Sequence, residues 1–439
     1  MITIPEVAEA MQRVLTTTAD ALARRTGFVQ RESKLTGALF VQTMVLGCLR
    51  KPETKLGDLA QTAASLHLQI SNQALDQRFT SAAADLLKEA LNAAATTLIA
   101  AQPVAIPLLQ RFGAVIIQDG SLITLPEELT TVWRGCGGST PEAGAAALKI
   151  QLRLDLLSGT LQGPLLQDGR THDQSAVFPE VPARKGRLYL NDLGYFSLDR
   201  FRDIDRRGDF FLSRLKMGTV LYDAEGQRLD LASFLKGQTG NRVDVPVQMG
   251  AQHRLTVRLL AFRVPPEVAN ERRRKLNEEA RRKGQMVSKA RLAVADWTIF
   301  VTNLPQEQLS LEEALVLARA RWQIELLFKL WKKEGRIDEW RSKKAYRILC
   351  ELYGKLIAMV IQHWLFLIDV WSHPDRSLMK AAEMVQSTAF AIALAVIGVI
   401  DLALVLSEIG NCLGTASRMN PRRKHPNTYQ QLLDLQEVA

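Results

Sequence analysis

The pattern of apolar and polar positions divides the chain into stretches of different period. Residues 1 to about 105 carry Ala and Leu at helical spacing and no convincing strand, which predicts a helical N-terminal domain, 1–108, left by way of Gln102, Pro103 and Pro107. Within it, LGDLAQTAASLHLQISNQALDQRF predicts two short helices, the second starting after Ser71 as N-cap, with Asn72, Gln73, Gln77 and Arg78 exposed, either a helix-turn-helix that would make this a DNA-binding domain or a plain helical hairpin. From about 110 to 220 the period changes. In RFGAVIIQDGSLITLP, residues 114–118 read as a buried strand ending at Asp119, where glycine lets the chain turn. ALKIQLRLDLL alternates polar and apolar residues over 149–156, and SGT turns it toward LQGPLL as a hairpin. A helical stretch follows Gln174, then Leu188, Tyr189 and Leu190 lead as a strand to Asp192, followed by more helix and the strand FFLSRLK. Strands and helices in this succession predict an α/β fold.

About a hundred residues, too many for an ordinary loop, separate that strand from the next long helical pattern. TVLYDAEGQRLDLASFL, VDVPVQMG and HRLTVRLLAFRVP read as successive short strands, so 221–305 is expected to be an inserted β-rich subdomain. LEEALVLARARWQIELLFKLWKKEGR reads as one amphipathic helix in a segment 306–345, and 346–439 as a helical region with a basic, proline-containing tail, ASRMNPRRKHPNTYQ, expected to be mobile. STAFAIALAVIGVIDLALVL is apolar enough for a membrane span. Asp401 interrupts it, however, and its Ala and Val content suits a helix packed between others, so a core helix and no membrane are expected.

At 3.6 residues per turn, Arg321, Glu325 and Lys332 fall on one face of the 306–345 helix. Ile324, Leu327, Leu330 and Trp331 occupy the opposite side, with Phe328 offered outward. Taken alone, an Arg and a Glu four residues apart form a solvated surface pair. Asp119 and Asp192 change that reading. A carboxylate is costly to bury without a partner, so an Asp closing an apolar strand is a turn former or a site residue. Two such strand ends and a helix-borne Glu flanked by cations suggest hard oxygen ligands gathered around Mg²⁺, with Mn²⁺ as its substitute, and hence phosphoryl transfer.

Composition supports an anionic partner, with a formal net charge of +10 over 439 residues, and double-stranded DNA is the simplest candidate. In ERRRKLNEEARRKGQMVSKAR the cations Arg272, Arg273, Arg274, Lys275, Arg281, Arg282 and Lys283 outnumber the acids; such a run is either a solvated helix or a phosphate contact. Cys48, Cys136, Cys350 and Cys412 show no CxxC pairing and the six histidines no H-x-x-x-H spacing, which argues against a zinc site or a disulfide framework. MITIPEVAEAMQRV carries no basic segment followed by a long apolar run, so the expected location is the cytoplasm, at the nucleoid.

Arg321, Glu325 and Lys332 match the last three members of a Y-x2-R-x3-E-x6-K signature, with Ala318 where the tyrosine would stand. With QDGS around Asp119, GAAALKIQLRLDLLSGTL, GRTHD ending at Asp173, NDLGYF around Asp192 and DWTIFVTNLP, the chain over roughly 30–365 resembles bacterial insertion-sequence transposases of the DDE type (the insertion sequence four family). The resemblance implies a ribonuclease-H-like core with a mixed sheet in 109–220, completed by the Glu325 helix. It further implies Asp119, Asp192 and Glu325 as metal-holding catalytic residues, and Arg321 and Lys332 as phosphate contacts. The implied activity is cleavage at inverted-repeat ends and joining of 3′ ends to target DNA, by a homodimer in the DNA complex. Relatives unstack a terminal base onto a tryptophan; Trp297 and Trp322 are the nearest candidates, and Trp297 alternates with apolar residues as a core position does. A nuclease of the same fold without strand transfer, and a noncatalytic DNA-binding regulator, remain as alternatives.

Overall fold

The computed structural model describes residues 4–136, 145–179, 186–420, 424 and 426–435. Ten strands are present among them: β1 (Val115–Thr124), β2 (Ala147–Asp155), β3 (Leu161–Asp168), β4 (Leu188–Asn191), β5 (Phe210–Arg214), β6 (Leu221–Tyr222), β7 (Arg228–Leu229), β8 (Arg242–Met249), β9 (Leu255–Arg263) and β10 (Trp297–Thr302). The protein is a mixed α/β structure of two compact units, one made of Met1–Gln110, Gln118–Glu180 and Trp322–Gln430, the other of Arg111–Ile117, Val181–Arg321 and Gln431–Ala439. Both units take part of β1.

The first unit is built on the helix Ala345–Phe366, in which every residue from Ile348 to Phe366 is buried. It packs against the helices Gly37–Arg50 and Ser81–Ala95, whose N-caps Thr36 and Thr80 accept from the backbone N–H groups of Leu39 and Ala83. Ser71 caps Asn72–Asp76 in the same way, through the N–H of Ala74, and Asp76 at the far end of that short helix pairs with Lys344 at 2.6 Å and Arg347 at 3.2 Å. Among the described residues two helices are long and apolar enough to cross a membrane; Ala345–Phe366 is fully buried inside the fold, Leu378–Val396 partly so. The apolar stretch expected as one core helix is two, Leu378–Val396 and Leu402–Ala416. Gly398 turns between them at a φ of +78°, and Asp401, the interrupting acid, caps the second by accepting from Leu404 at 2.7 Å. The basic positions 421–423 of the expected tail lie outside the described residues; Thr428–Asp434 beyond them is helical.

Two polar side chains inside the long helix reach distant backbone. Lys355 Nζ donates to the carbonyls of Arg336 and Glu339, and the His363 Nε2–H to that of Gly159 at 2.7 Å. Burial holds the His363 imidazole neutral, pushed down to about 4 against the partial opposition of the Gly159 contact. Unfolding restores an ordinary histidine near pH 6.5, so between those values the unfolded chain binds the proton and the folded chain does not, and stability falls as the pH falls. Full loss at about pH 4 amounts to roughly 3 kcal/mol. Urea unfolding of wild type and His363→Gln at pH 7 and at pH 4.5 checks this: the wild type should lose more stability between the two, and equal losses would remove His363 as the cause.

In the second unit the strand order is β1-β4-β5-β10-β9-β8-β6-β7. Residues 115–117 of β1 pair parallel with β4 and β4 parallel with β5, while β10 is antiparallel to both β5 and β9. The strands of 221–305, expected as an inserted β-rich subdomain, continue this sheet. The helix Leu198–Arg206 carries the parallel crossover from β4 to β5, and its Phe201 stacks on Phe211 of β5 at 4.3 Å in the core. In the first unit β3 is antiparallel to β2, and β2 lies next to β1.

Candidate active site

Asp119 lies inside β1, not at its end. The Asp-Gly pair that signals a turn is overridden because GSLIT continues the strand alternation, with Ile123 buried and β2 alongside. A Cβ at Gly120 would stand 3.0 Å from the Gln151 side chain, so glycine here admits a close neighbour on β2 instead of turning the chain. Alternation puts Asp119 on the face of Ile117 and Ile123, half-buried, where its Oδ1 accepts from the Gly120 N–H at 2.8 Å. On the Gly120 face, Lys149 of β2 pairs with Asp173 at 2.8 Å and Gln151 Nε2 donates to the same carboxylate at 3.2 Å. The sequence pattern marked the GRTHD segment but assigned Asp173 no task; two polar positions spaced by two on β2 were the available signal.

Glu325 stands in the first turn of the helix Trp322–Lys333, where a carboxylate complements the helix dipole. Ile324, Leu327, Leu330 and Trp331 are buried as predicted. Phe328, expected to face outward, is buried too and meets Trp331 edge-on at 6.5 Å, which widens the apolar stripe beyond the narrow face inferred from spacing. The single long helix is also interrupted: Leu311–Ala320 ends at Arg321, and the next helix starts at Trp322. Lys332, two turns beyond Glu325 on the same side, donates to the carbonyl of Leu122 at 3.3 Å and so ties this helix to β1.

Asp192 stands directly after β4, as predicted, and begins the short 3₁₀ turn Leu193–Tyr195. Arg321 Nε lies 3.8 Å from its Oδ1, a distance for charge attraction without a hydrogen bond, and the Asp192 side chain is 42% exposed. Asp119 and Glu325 belong to the first unit, Asp192 and Arg321 to the second. Among the described residues no three His, Cys, Asp or Glu side chains stand within common reach of a metal ion. Trp322 is 53% exposed, and Trp297 is buried in β10.

The cations of Pro266–Arg282 have separate tasks. Arg272 donates to the Trp297 carbonyl at 3.0 Å and to Thr298 Oγ1 at 2.8 Å, and Arg273 to the Leu292 carbonyl and Asp296, so both anchor the helix to its own unit. Arg274 and Lys275 pair with Glu271, and Lys283 with Glu279. Arg274 holds the Glu271 carboxyl down to about 2, mainly by hydrogen bonding. Arg281 and Arg282 are exposed. Counting charges cannot separate an anchoring cation from a solvated one, because the partners come from β10 and from the helix's own acids.

A sequence profile for the family described as Transposase DDE domain matches residues 110–361, a span that includes Asp119, Asp192 and Glu325. The chain is 30% identical to the transposase for insertion sequence element IS231C of Bacillus thuringiensis subsp. berliner, over 81% of this chain and 78% of that protein. It is 28% identical to the transposase for insertion sequence element IS231F of Bacillus thuringiensis subsp. israelensis, over 98% and 94% of the two chains. Identity to the transposase for insertion sequence element IS1151 of Clostridium perfringens is 25%, over 77% and 76%.

Proposed function

The chain belongs to the DDE transposases, enzymes of insertion sequences that act on DNA, and from that premise we propose that Asp119, Asp192 and Glu325 are its catalytic acids, cutting the inverted-repeat ends of an element and joining the freed 3′ ends to target DNA. The observation that carries this reading is the family match over residues 110–361, the stretch in which the three acids lie. Strand order supports a ribonuclease-H-like core: β3-β2-β1 and β1-β4-β5 share β1, with the β4 to β5 crossover parallel.

DDE domains work with a divalent metal. The donor chemistry fits a hard ion, because the three candidates are carboxylates, all half-buried and open to solvent in part. Asp119, Asp192 and Glu325 would hold Mg²⁺, with Mn²⁺ as its substitute. Held there, such an ion would supply Lewis acidity for activating water or a 3′-hydroxyl and for stabilising the leaving oxygen in displacement at phosphorus. Arg321, close enough to Asp192 to compensate its charge, positions that carboxylate and offers its guanidinium to the phosphate beside the scissile bond. Lys332 commits one of its three N–H donors to Leu122 and keeps the others for a phosphate oxygen. Coordinated cutting of two ends calls for a homodimer in the complex with double-stranded DNA, at the nucleoid.

The test is incubation of the purified protein with DNA carrying the inverted repeats that flank its gene, a target plasmid and MgCl₂. End cleavage with joined product is the expected result. Cleavage without joining would reduce the activity to a nuclease, and binding without cleavage would leave a noncatalytic regulator.

A further inference from the structure

Residues 281–291, RRKGQMVSKAR, contain five cations and no acid. They form the turn between the helices Pro266–Arg282 and Lys289–Val294. The first helix stops at Gly284, whose φ of +62° suits glycine, with the Gln285 N–H returning to the Ala280 carbonyl at 2.9 Å; Ser288 opens the second by accepting from Arg291 at 3.2 Å. Arg272 and Arg273 fix the root of this hairpin, whereas Arg281, Arg282, Lys283, Lys289 and Arg291 at its tip are exposed. Met286, at the apex, is 97% exposed. The two arms share one electrostatic neighbourhood: the Glu279 carboxyl is held below its ordinary range first by Lys283 and then also by Arg291 and Arg282.

We propose that this turn is a duplex-DNA probe in which Met286 enters a groove and wedges a base step while Arg281, Arg282, Lys289 and Arg291 hold the phosphates on either side. The inference rests on the DNA-acting reading and adds a contact to it. An apolar side chain held fully in water on a turn that carries five exposed cations packs against nothing in the fold, whereas an apolar wedge among phosphate contacts is how proteins unstack and bend a duplex. A membrane surface would call for several apolar side chains on one face; here Met286 stands between Gln285 and Val287, and Val287 is half-buried, which leaves one fully exposed apolar side chain.

The test uses the full chain and a short duplex of arbitrary sequence containing 2-aminopurine. In the variant Arg281→Ala/Arg282→Ala/Lys289→Ala/Arg291→Ala the slope of log affinity against log salt should flatten by about 3.6, near 0.9 for each phosphate that is no longer neutralised. Met286→Ala should keep the wild-type slope and lose the rise in 2-aminopurine fluorescence that reports unstacking. Arg274→Ala/Lys275→Ala, which removes paired charge from the same helix, should keep both. A wild-type slope in the fourfold variant, full fluorescence in Met286→Ala, or equal flattening in the paired-charge control each overturns the proposal. So does a fourfold variant that no longer binds phosphatidylglycerol vesicles while its DNA binding is intact. A wild type that binds no duplex at all would instead strike the DNA-acting reading itself.

Discussion

Glu325→Gln should lower cleavage of end-bearing DNA by more than about a thousandfold, some 4 kcal/mol of transition-state stabilisation, while leaving DNA affinity and the melting temperature close to wild type. Glutamine keeps the size and helix propensity of glutamate and removes the charge that a hard cation requires. The folding cost is the lost dipole interaction in the first turn, about 0.3–1 kcal/mol. Asp119→Asn and Asp192→Asn should behave alike, since the asparagine at 119 still accepts the Gly120 N–H with its carbonyl oxygen. Glu312→Gln makes the control: Glu312, a surface acid of the preceding helix, pairs with Arg242, and its removal should leave cleavage unaltered. Cleavage by Glu325→Gln within about tenfold of wild type, less than the usual effect of a single catalytic group, would remove Glu325 from the chemistry.

Alternation shows where β2 runs, whereas β4 and β5 are legible as short apolar runs because they are buried at consecutive positions. They misplace the end of β1, since Asp-Gly reads as a turn until Gln151 is seen filling the space over Gly120. The same limit applies at the site. Spacing puts Arg321, Glu325 and Lys332 on one side of a helix, but the interruption at Arg321, its approach to Asp192 and the attachment of Lys332 to Leu122 depend on segments far away in the chain. Buried polar residues are the least legible. Glu351, Lys355 and His363 sit in an apolar run, and what makes them tolerable is a backbone N–H at Arg341 and carbonyls at Arg336, Glu339 and Gly159.

Arg187 and Asp209 illustrate that hidden layer with the largest expected effect on stability. They precede β4 and β5, the parallel pair that ends at Asp192, and their contact fastens the two strands where both begin. The Asp209 side chain is 2% exposed; its Oδ1 accepts from the Arg187 N–H at 3.0 Å, and its Oδ2 from the Arg187 guanidinium at 3.1 and 2.8 Å. Asp209→Ala takes the carboxylate away from a mostly buried cation and from one backbone donor, at a cost of about 3–5 kcal/mol. The melting temperature should then fall by roughly 10 °C for a domain of this size. Arg187→Met/Asp209→Leu, which removes both charges together, should recover much of that stability, because desolvation offsets most of the attraction in a buried pair. Calorimetry separates this variant from the catalytic ones: Asp209→Ala should melt early yet cleave DNA near the wild-type rate well below its transition, the reverse of Glu325→Gln. An unchanged melting temperature in Asp209→Ala would mean that the pair holds neither strand.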